Sequence, residues 1–210
     1  MTEKITTTDE SRSVLYEHVM LDLETMGNGP DAAIVAIGAI AFDLDAGQIG
    51  PGYYNRVELE SAVKLGGVID ASTVTWWLAQ GDEARSEIAR PGGMHIAEAL
   101  QSFAEWMGVT AKDTAVWGNG ASFDNVILRS AYQRAGHSVP WKWWNDRCYR
   151  TVKSLHRDVP FERLGTHHNA LSDATSQALH LIKMLKAPQP DCQKGWGCTI
   201  KTGYCAGCCS

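Results

Sequence analysis

The sequence predicts an α/β domain, a mixed sheet whose first three strands run antiparallel, flanked by helices. Three observations carry that expectation. Apolar segments separated by short turn signals fill the first sixty residues; helical periodicity replaces alternation from Ala71 onward; and a further apolar strand at 114–118 leads directly into another helix.

Residues 1–13 are polar, Thr-rich and without periodicity, and read as a mobile leader to a domain over 14–187. The first strand is Val19-Met20-Leu21-Asp22-Leu23-Glu24-Thr25, whose alternation sends Asp22 and Glu24 to one face and Leu21 and Leu23 to the other. Gly27-Asn28-Gly29-Pro30 is a turn signal, and the nearly continuous apolar run at 33–42 has the pattern of a strand buried on both faces. A turn over 43–52 then leads to a third strand at 53–59. Ser72 or Thr73 is expected to cap a helical segment through Trp76-Trp77-Leu78, and 96–107 repeats apolar residues at Ile96, Leu100, Phe103, Ala104 and Met107. After the strand at 114–118, Asn119-Gly120-Ala121 breaks the pattern, Ser122 is placed as an N-cap, and a helix runs to Ala135 with Gly136 as its left-handed terminator. A short strand near Cys148 and a helix over 172–185 complete the domain, the latter with Leu171, Ala178, Leu179, Ile182 and Leu185 as its apolar face. Pro188 and Pro190 end it.

Length and composition suit one domain with an appendage. A hydrophobic share of 44% and a charged share of 20% exclude a disordered or membrane-embedded chain. No run approaches the roughly 18 apolar residues of a membrane span, and the expected compartment is the cytoplasm. A net charge of −5 argues at first against a polyanionic partner. That argument weakens if clustered acids are neutralised by bound cations and only a chain end is gripped.

Acids at strand ends and helix starts are the candidates for such a cluster: Asp22 and Glu24, then Asp124, then Asp173. Taken singly, each has an ordinary explanation, because an edge strand exposes acids and a helix dipole favours them in a first turn. Their conjunction at the places where sheet folds build sites is what points to chemistry. Two histidines precede Asp173. In one helix His168 and Asp173 would lie about 140° apart, so His168 belongs on the loop before it; the residues alone leave open whether His167 or His168 serves.

In three ordered blocks the sequence resembles the DEDDh 3′→5′ exonucleases, the superfamily of polymerase proofreading subunits and ribonuclease T. The blocks are Asp22-Leu23-Glu24-Thr25, Asn119 to Asp124 with its following helix, and His168-Asn169-Ala170-Leu171-Ser172-Asp173. The third block requires His, four residues, then Asp, which selects His168. The paired tryptophans after Thr73 look like the compact exoribonuclease and exonuclease VIII-like branch. The resemblance implies a ribonuclease H-like sheet and a hydrolase releasing nucleoside 5′-monophosphates from a DNA or RNA 3′ end. It also implies a homodimer. Two Mg²⁺ or Mn²⁺ ions are implied, roughly 3.5 to 4 Å apart, on Asp22, Glu24, Asp124 and Asp173. Asp22 would bridge them, Glu24 and Asp173 would hold the ion carrying the nucleophilic water, and Asp124 would act through the second ion's waters. His168, of a residue type that titrates at about 6.5, is the implied general base. Thr25, Met26, Asn119 and Phe123 are the implied substrate contacts, with Met26 wedged against a base.

Trp141, Trp143 and Trp144 form a further stacking group, with Arg147, Arg150 and Lys153 as phosphate contacts; core packing and a solvated face explain the same residues. Five of the six cysteines crowd the last nineteen residues, which excludes a disulfide framework for the whole fold. In the tail over 188–210, Cys192, Cys198, Cys205 and Cys208 make a four-thiolate zinc knot in one reading, free thiols or cross-links in others. A non-catalytic nucleic-acid binder using that tail, and a hydrolase of small nucleotides, are the competing functions.

Overall fold

The computed structural model describes residues 15–165 and 168–186, and the leader and the cysteine tail expected above lie outside the described residues. Strand β1 (Tyr16–Thr25) lies between β2 (Ile34–Asp43) and β4 (Thr110–Gly118) in a five-stranded sheet of order β3-β2-β1-β4-β5, with β3 spanning Gln48–Arg56 and β5 Asp146–Cys148. The first three strands are antiparallel, while β4 pairs parallel to β1 and β5 parallel to β4. The expected mixed sheet is therefore the observed one.

Alternation along β1 divides the core. Val19, Leu21 and Leu23 face one layer, formed by α4 (Ile96–Trp106) through Ile96, Leu100 and Phe103 and by α5 (Asp124–Arg134) through Ile127, Leu128 and Tyr132. Met20 faces the other, where Phe42 and Trp117 meet Ala174, Ala178, Leu181 and Met184 of α7 (Ala170–Lys186). By the same alternation Asp22 and Glu24 continue the Met20 face, beneath the first turns of α7.

Two glycines let helices reach that end of the sheet. Gly38 pairs with Asp22 across β2 and β1, and a Cβ there would lie 2.2 Å from the carbonyl carbon of Ala170, so only a bare backbone admits the start of α7. Gly118, opposite Leu21, gives the same room to α5, since its Cβ would stand 2.3 Å from the Asn125 side chain.

Several local expectations shift. The turn before β3 is confined to 44–47, and β3 begins at Gln48, because Gly50, Pro51 and Gly52 sit in an edge strand, where a missing N–H is tolerated. That strand ends at Arg56, short of residue 59. Helices α1 (Leu59–Lys64), α3 (Asp82–Ala89) and α6 (Tyr149–Leu155) escape the sequence reading, being too short to display a period. Neither Ser72 nor Thr73 caps α2 (Ala71–Leu78): Asp70 holds the N-cap position, its carboxylate accepting instead from the Asn28 N–H at 2.8 Å. Ser122 likewise does not cap α5, which starts after Phe123. Gly136 does adopt the left-handed conformation, φ 69°, with the His137 N–H returning to the Tyr132 carbonyl at 3.0 Å. On α7, Leu185 is exposed and Leu171 and Leu179 are only half-buried, because small alanines face the sheet and let the helix lie close. Among the described residues no helix is long and apolar enough to cross a membrane.

Candidate active site

Four acids from three distant segments meet at one end of β1. Asp22 accepts a hydrogen bond from Gln177 Nε2 at 2.8 Å. Glu24 is buried beside it, its Oε1 without a hydrogen-bond partner among the described residues. Asp124, the first residue of α5, turns its carboxylate onto two backbone N–H groups, those of Leu23 and Asn119, each at 3.1 Å. The helix lacks an ordinary cap because Phe123, at the N-cap position, has no side-chain acceptor. Asp173, in the first turn of α7, accepts the His168 N–H at 3.1 Å through Oδ2 and pairs with Arg163 through Oδ1.

His168 itself takes the left-handed conformation at φ 61°, uncommon for a non-glycine residue. The turn brings its ring back over the acids: Glu24, His168 and Asp173 each offer a ligand atom within 4.8 Å of the others. Trp76 and Trp77 of α2 pack edge-on against the imidazole, with ring centroids 4.9 and 5.7 Å away. Trp77 is tied to the same strand as the acids, donating from its indole to the Thr25 carbonyl at 2.9 Å.

The cluster strains against its own charge. Burial, then Asp124, Glu24 and Asp173, raise the Asp22 carboxyl well above its ordinary range. Burial followed by repulsion from Asp173 and Asp124 pushes Glu24 to about 8. Burial pushes Asp124 to about 7 against the pull of its backbone hydrogen bonds and Arg150. Carboxylates packed this way are favourable only with a counter-charge among them. All donors are oxygens or imidazole, with Glu24 Oε1 unpartnered among the described residues, and that set fits a hard divalent cation.

The acids open into a cleft of about 390 Å³. Thr25, Asn119 and Phe123 line it as the sequence reading placed them, and so do Arg150 and Lys153. Met26 does not: it is 9% exposed and belongs to the apolar core, because the register shift between Glu24 and Thr25 breaks the alternation just before it and turns it inward with Leu23. Trp141 is core as well, its indole donating to Asp146 at 2.7 Å, whereas Trp143 and Trp144 are 68% and 56% exposed and stand outside the cleft. Gln177, Trp76 and Arg163 are among the cleft residues to which the sequence reading assigns no role. Gln177 lies four positions after Asp173, one helical turn on, a spacing that could have found it. Trp76 was read only as a branch marker. Arg163, in an irregular loop, carries no periodic signal.

Comparison with known proteins agrees with this geometry. The 3′-5′ exoribonuclease Rv2179c-like domain family matches residues 17–185. An exodeoxyribonuclease of Enterobacteria phage T4 is 29% identical over 157 residues, covering 63% of this chain and 68% of its own. Among solved structures, the nuclease domain of 3′hExo, a DEDDh family member bound to rAMP, shares 16% identity at a TM-score of 0.56, with 81% of this chain and 92% of that one covered. E. coli Exonuclease I in complex with a dT13 oligonucleotide shares 15% identity at 0.55, over 79% of this chain and 40% of that one, so the present chain spans less than half its length. These structural neighbours share the ribonuclease H-like α/β fold. With the matching domain covering most of the chain, the protein belongs to the 3′-5′ exoribonuclease Rv2179c-like family and is a 3′-5′ exonuclease.

Proposed function

We propose that the protein removes nucleoside 5′-monophosphates one at a time from the 3′ end of a nucleic acid, with Asp22, Glu24, Asp124 and Asp173 holding two Mg²⁺ or Mn²⁺ ions and His168 acting as general base. The observation that carries this reading is the convergence of four acids, three of them with raised proton affinity, beneath an imidazole held by two indoles. When bound, the divalent ions supply Lewis-acid stabilisation of the charge that develops on the phosphate during in-line displacement. The chain's own residues do the rest. An imidazole nitrogen of His168 accepts the proton of the attacking water, and the Asp173 carboxylate fixes the turn that positions the ring by accepting its backbone N–H. Phe123 offers an aromatic face to the terminal base, and Thr25 and Asn119 border the terminal sugar. Arg150, anchored to the Asn119 carbonyl at 2.7 Å, and Lys153 supply positive charge for the phosphate, which explains how a chain of net charge −5 engages a polyanion.

A non-catalytic binder gives no reason to bury four repelling acids around a histidine. The reading includes a homodimer, supported by the exposed Trp143 and Trp144 rings beside edge strand β5; sedimentation at several concentrations tests it. The family description names an exoribonuclease and the phage relative an exodeoxyribonuclease, so both sugars belong in the decisive assay. End-labelled DNA and RNA oligonucleotides, single- and double-stranded, are digested with Mg²⁺, Mn²⁺ or chelator. The reading expects metal-dependent release of mononucleotides from the 3′ end of at least one substrate. Cleavage confined to free dinucleotides would instead establish a small-molecule hydrolase.

A further inference from the structure

We propose that Arg163 stands in for a divalent cation at Asp173 and, once displaced by the ion, grips a phosphate of the substrate strand. The proposal rests on the metal-dependent reading above. Both oxygens of Asp173 are engaged, Oδ2 by the backbone N–H of His168 and Oδ1 by the Arg163 guanidinium. A cation drawing on Glu24 and Asp173 together therefore has to compete for an Asp173 oxygen. The His168 N–H is fixed by the left-handed turn that also places the ring. The guanidinium, by contrast, ends a long side chain that is 39% exposed, and it is the partner able to yield.

The displaced group has a destination. Arg163 lines the same cleft as Arg150 and Lys153. Arg150 is held by the Asn119 carbonyl, whereas the Arg163 guanidinium lies, like Lys153 Nζ, over the Phe161 ring, so it adds a second point of positive charge to the cleft lining. Its base is rigid. The Leu164 N–H bonds Ser176 Oγ at 2.9 Å, and Phe161, over which the guanidinium lies at 5.6 Å, packs edge-on against His180. The His180 ring is itself fastened to the Tyr149 hydroxyl at 2.8 Å and the Val159 carbonyl at 3.0 Å. A fixed base with a rotatable forked end suits bidentate recognition of a phosphodiester.

The test measures Mn²⁺ binding by electron paramagnetic resonance in the absence of nucleic acid, for the parental protein, Arg163→Met and Arg163→Lys, with Asp22→Ala as the site control. Steady-state kinetics on a labelled oligonucleotide at saturating Mn²⁺ accompany it. Loss of the competitor is expected to tighten Mn²⁺ binding in Arg163→Met by roughly threefold to tenfold, the scale of a partly exposed ion pair. Loss of the grip is expected to raise KM by about tenfold with kcat changed far less. Arg163→Lys keeps the charge without the fork, so it retains parental Mn²⁺ affinity and an intermediate KM. Arg163→Gln carries the same expectation as the methionine variant should that one fail to fold. Unchanged or weaker Mn²⁺ binding without the arginine, or an unchanged KM, overturns the proposal while leaving the metal-dependent reading in place. A parental protein that binds no Mn²⁺ overturns both.

Discussion

The backbone N–H of Leu23 donates to the Asp124 carboxylate across 3.1 Å, so the acid from the second segment is fastened to the strand that carries the first pair. The same carboxylate accepts from Asn119, and its charge and its hydrogen-bonding capacity therefore serve different ends.

Substituting Asp124 separates them. Asp124→Asn keeps one of the two acceptor oxygens and turns an amide donor toward the other N–H, so it should cost about 1 kcal/mol, less than the alanine variant, while losing activity by two orders of magnitude or more. Asp124→Ala strands two backbone donors and should cost about 1–3 kcal/mol in chelator. Denaturant titration and mononucleotide release on both variants check the contrast; equal stability of the two would contradict it.

Gly38 makes an equally specific claim. A methyl group there meets the Ala170 carbonyl carbon at 2.2 Å and the Leu171 nitrogen at 2.3 Å, both backbone, so neither can rotate away. Gly38→Ala should push α7 off the sheet, destabilise the domain by about 1–3 kcal/mol, and displace Asp173 enough to lower kcat steeply. A variant with parental activity and melting temperature would show that α7 is not held where described.

Much of this site was legible beforehand because its chemistry is written in local patterns. Alternation placed Asp22 and Glu24 on one face, and helix-start positions placed Asp124 and Asp173. The His-to-Asp spacing, taken from a resemblance, chose His168. What escaped depends on neighbours that only the fold supplies. Met26 looks like a loop residue in sequence, yet the end of β1 carries it into the core. Pro51 and its flanking glycines read as a turn because nothing local reveals that β3 is an edge strand. Arg163 enters the site through a loop anchored on α7 ten residues later, which no periodicity announces.

The raised carboxyls set a pH dependence with a definite sign. Glu24 at about 8, Asp124 at about 7 and Asp22 higher than its ordinary range bind protons in the folded state that the unfolded chain, titrating at about 4, releases. Their contribution to stability is therefore full below about pH 4 and lost as pH rises through 7 to 8. In chelator the acid cluster should lower the melting temperature from pH 5 to pH 9. Saturating Mg²⁺ should shrink or reverse that loss, because the ionised carboxylates then face a counter-charge. Scanning calorimetry with and without metal decides it, and a chelated protein that gains stability over that range would contradict the buried, repelling cluster.

The two indoles around His168 should behave differently. Trp77 is 3% exposed and hydrogen-bonded to Thr25, so Trp77→Ala should cost about 3–5 kcal/mol. Trp76 is 45% exposed, and Trp76→Ala should cost under about 1 kcal/mol yet lower kcat through looser placement of the imidazole. Paired melting and kinetic measurements test this, and full activity in the Trp76 variant would remove its positioning role.

The most direct measurement compares the parental protein with Asp22→Asn on a 3′-labelled oligonucleotide, following released mononucleotide and bound Mn²⁺ in the same samples. Asp22 lies at the centre of the acids and accepts from Gln177 through one oxygen, which an amide retains, so Asp22→Asn should fold normally. The account predicts a folded variant with sharply reduced Mn²⁺ binding and no detectable hydrolysis. Hydrolysis at the parental rate, or a parental rate undiminished by chelator, would contradict it.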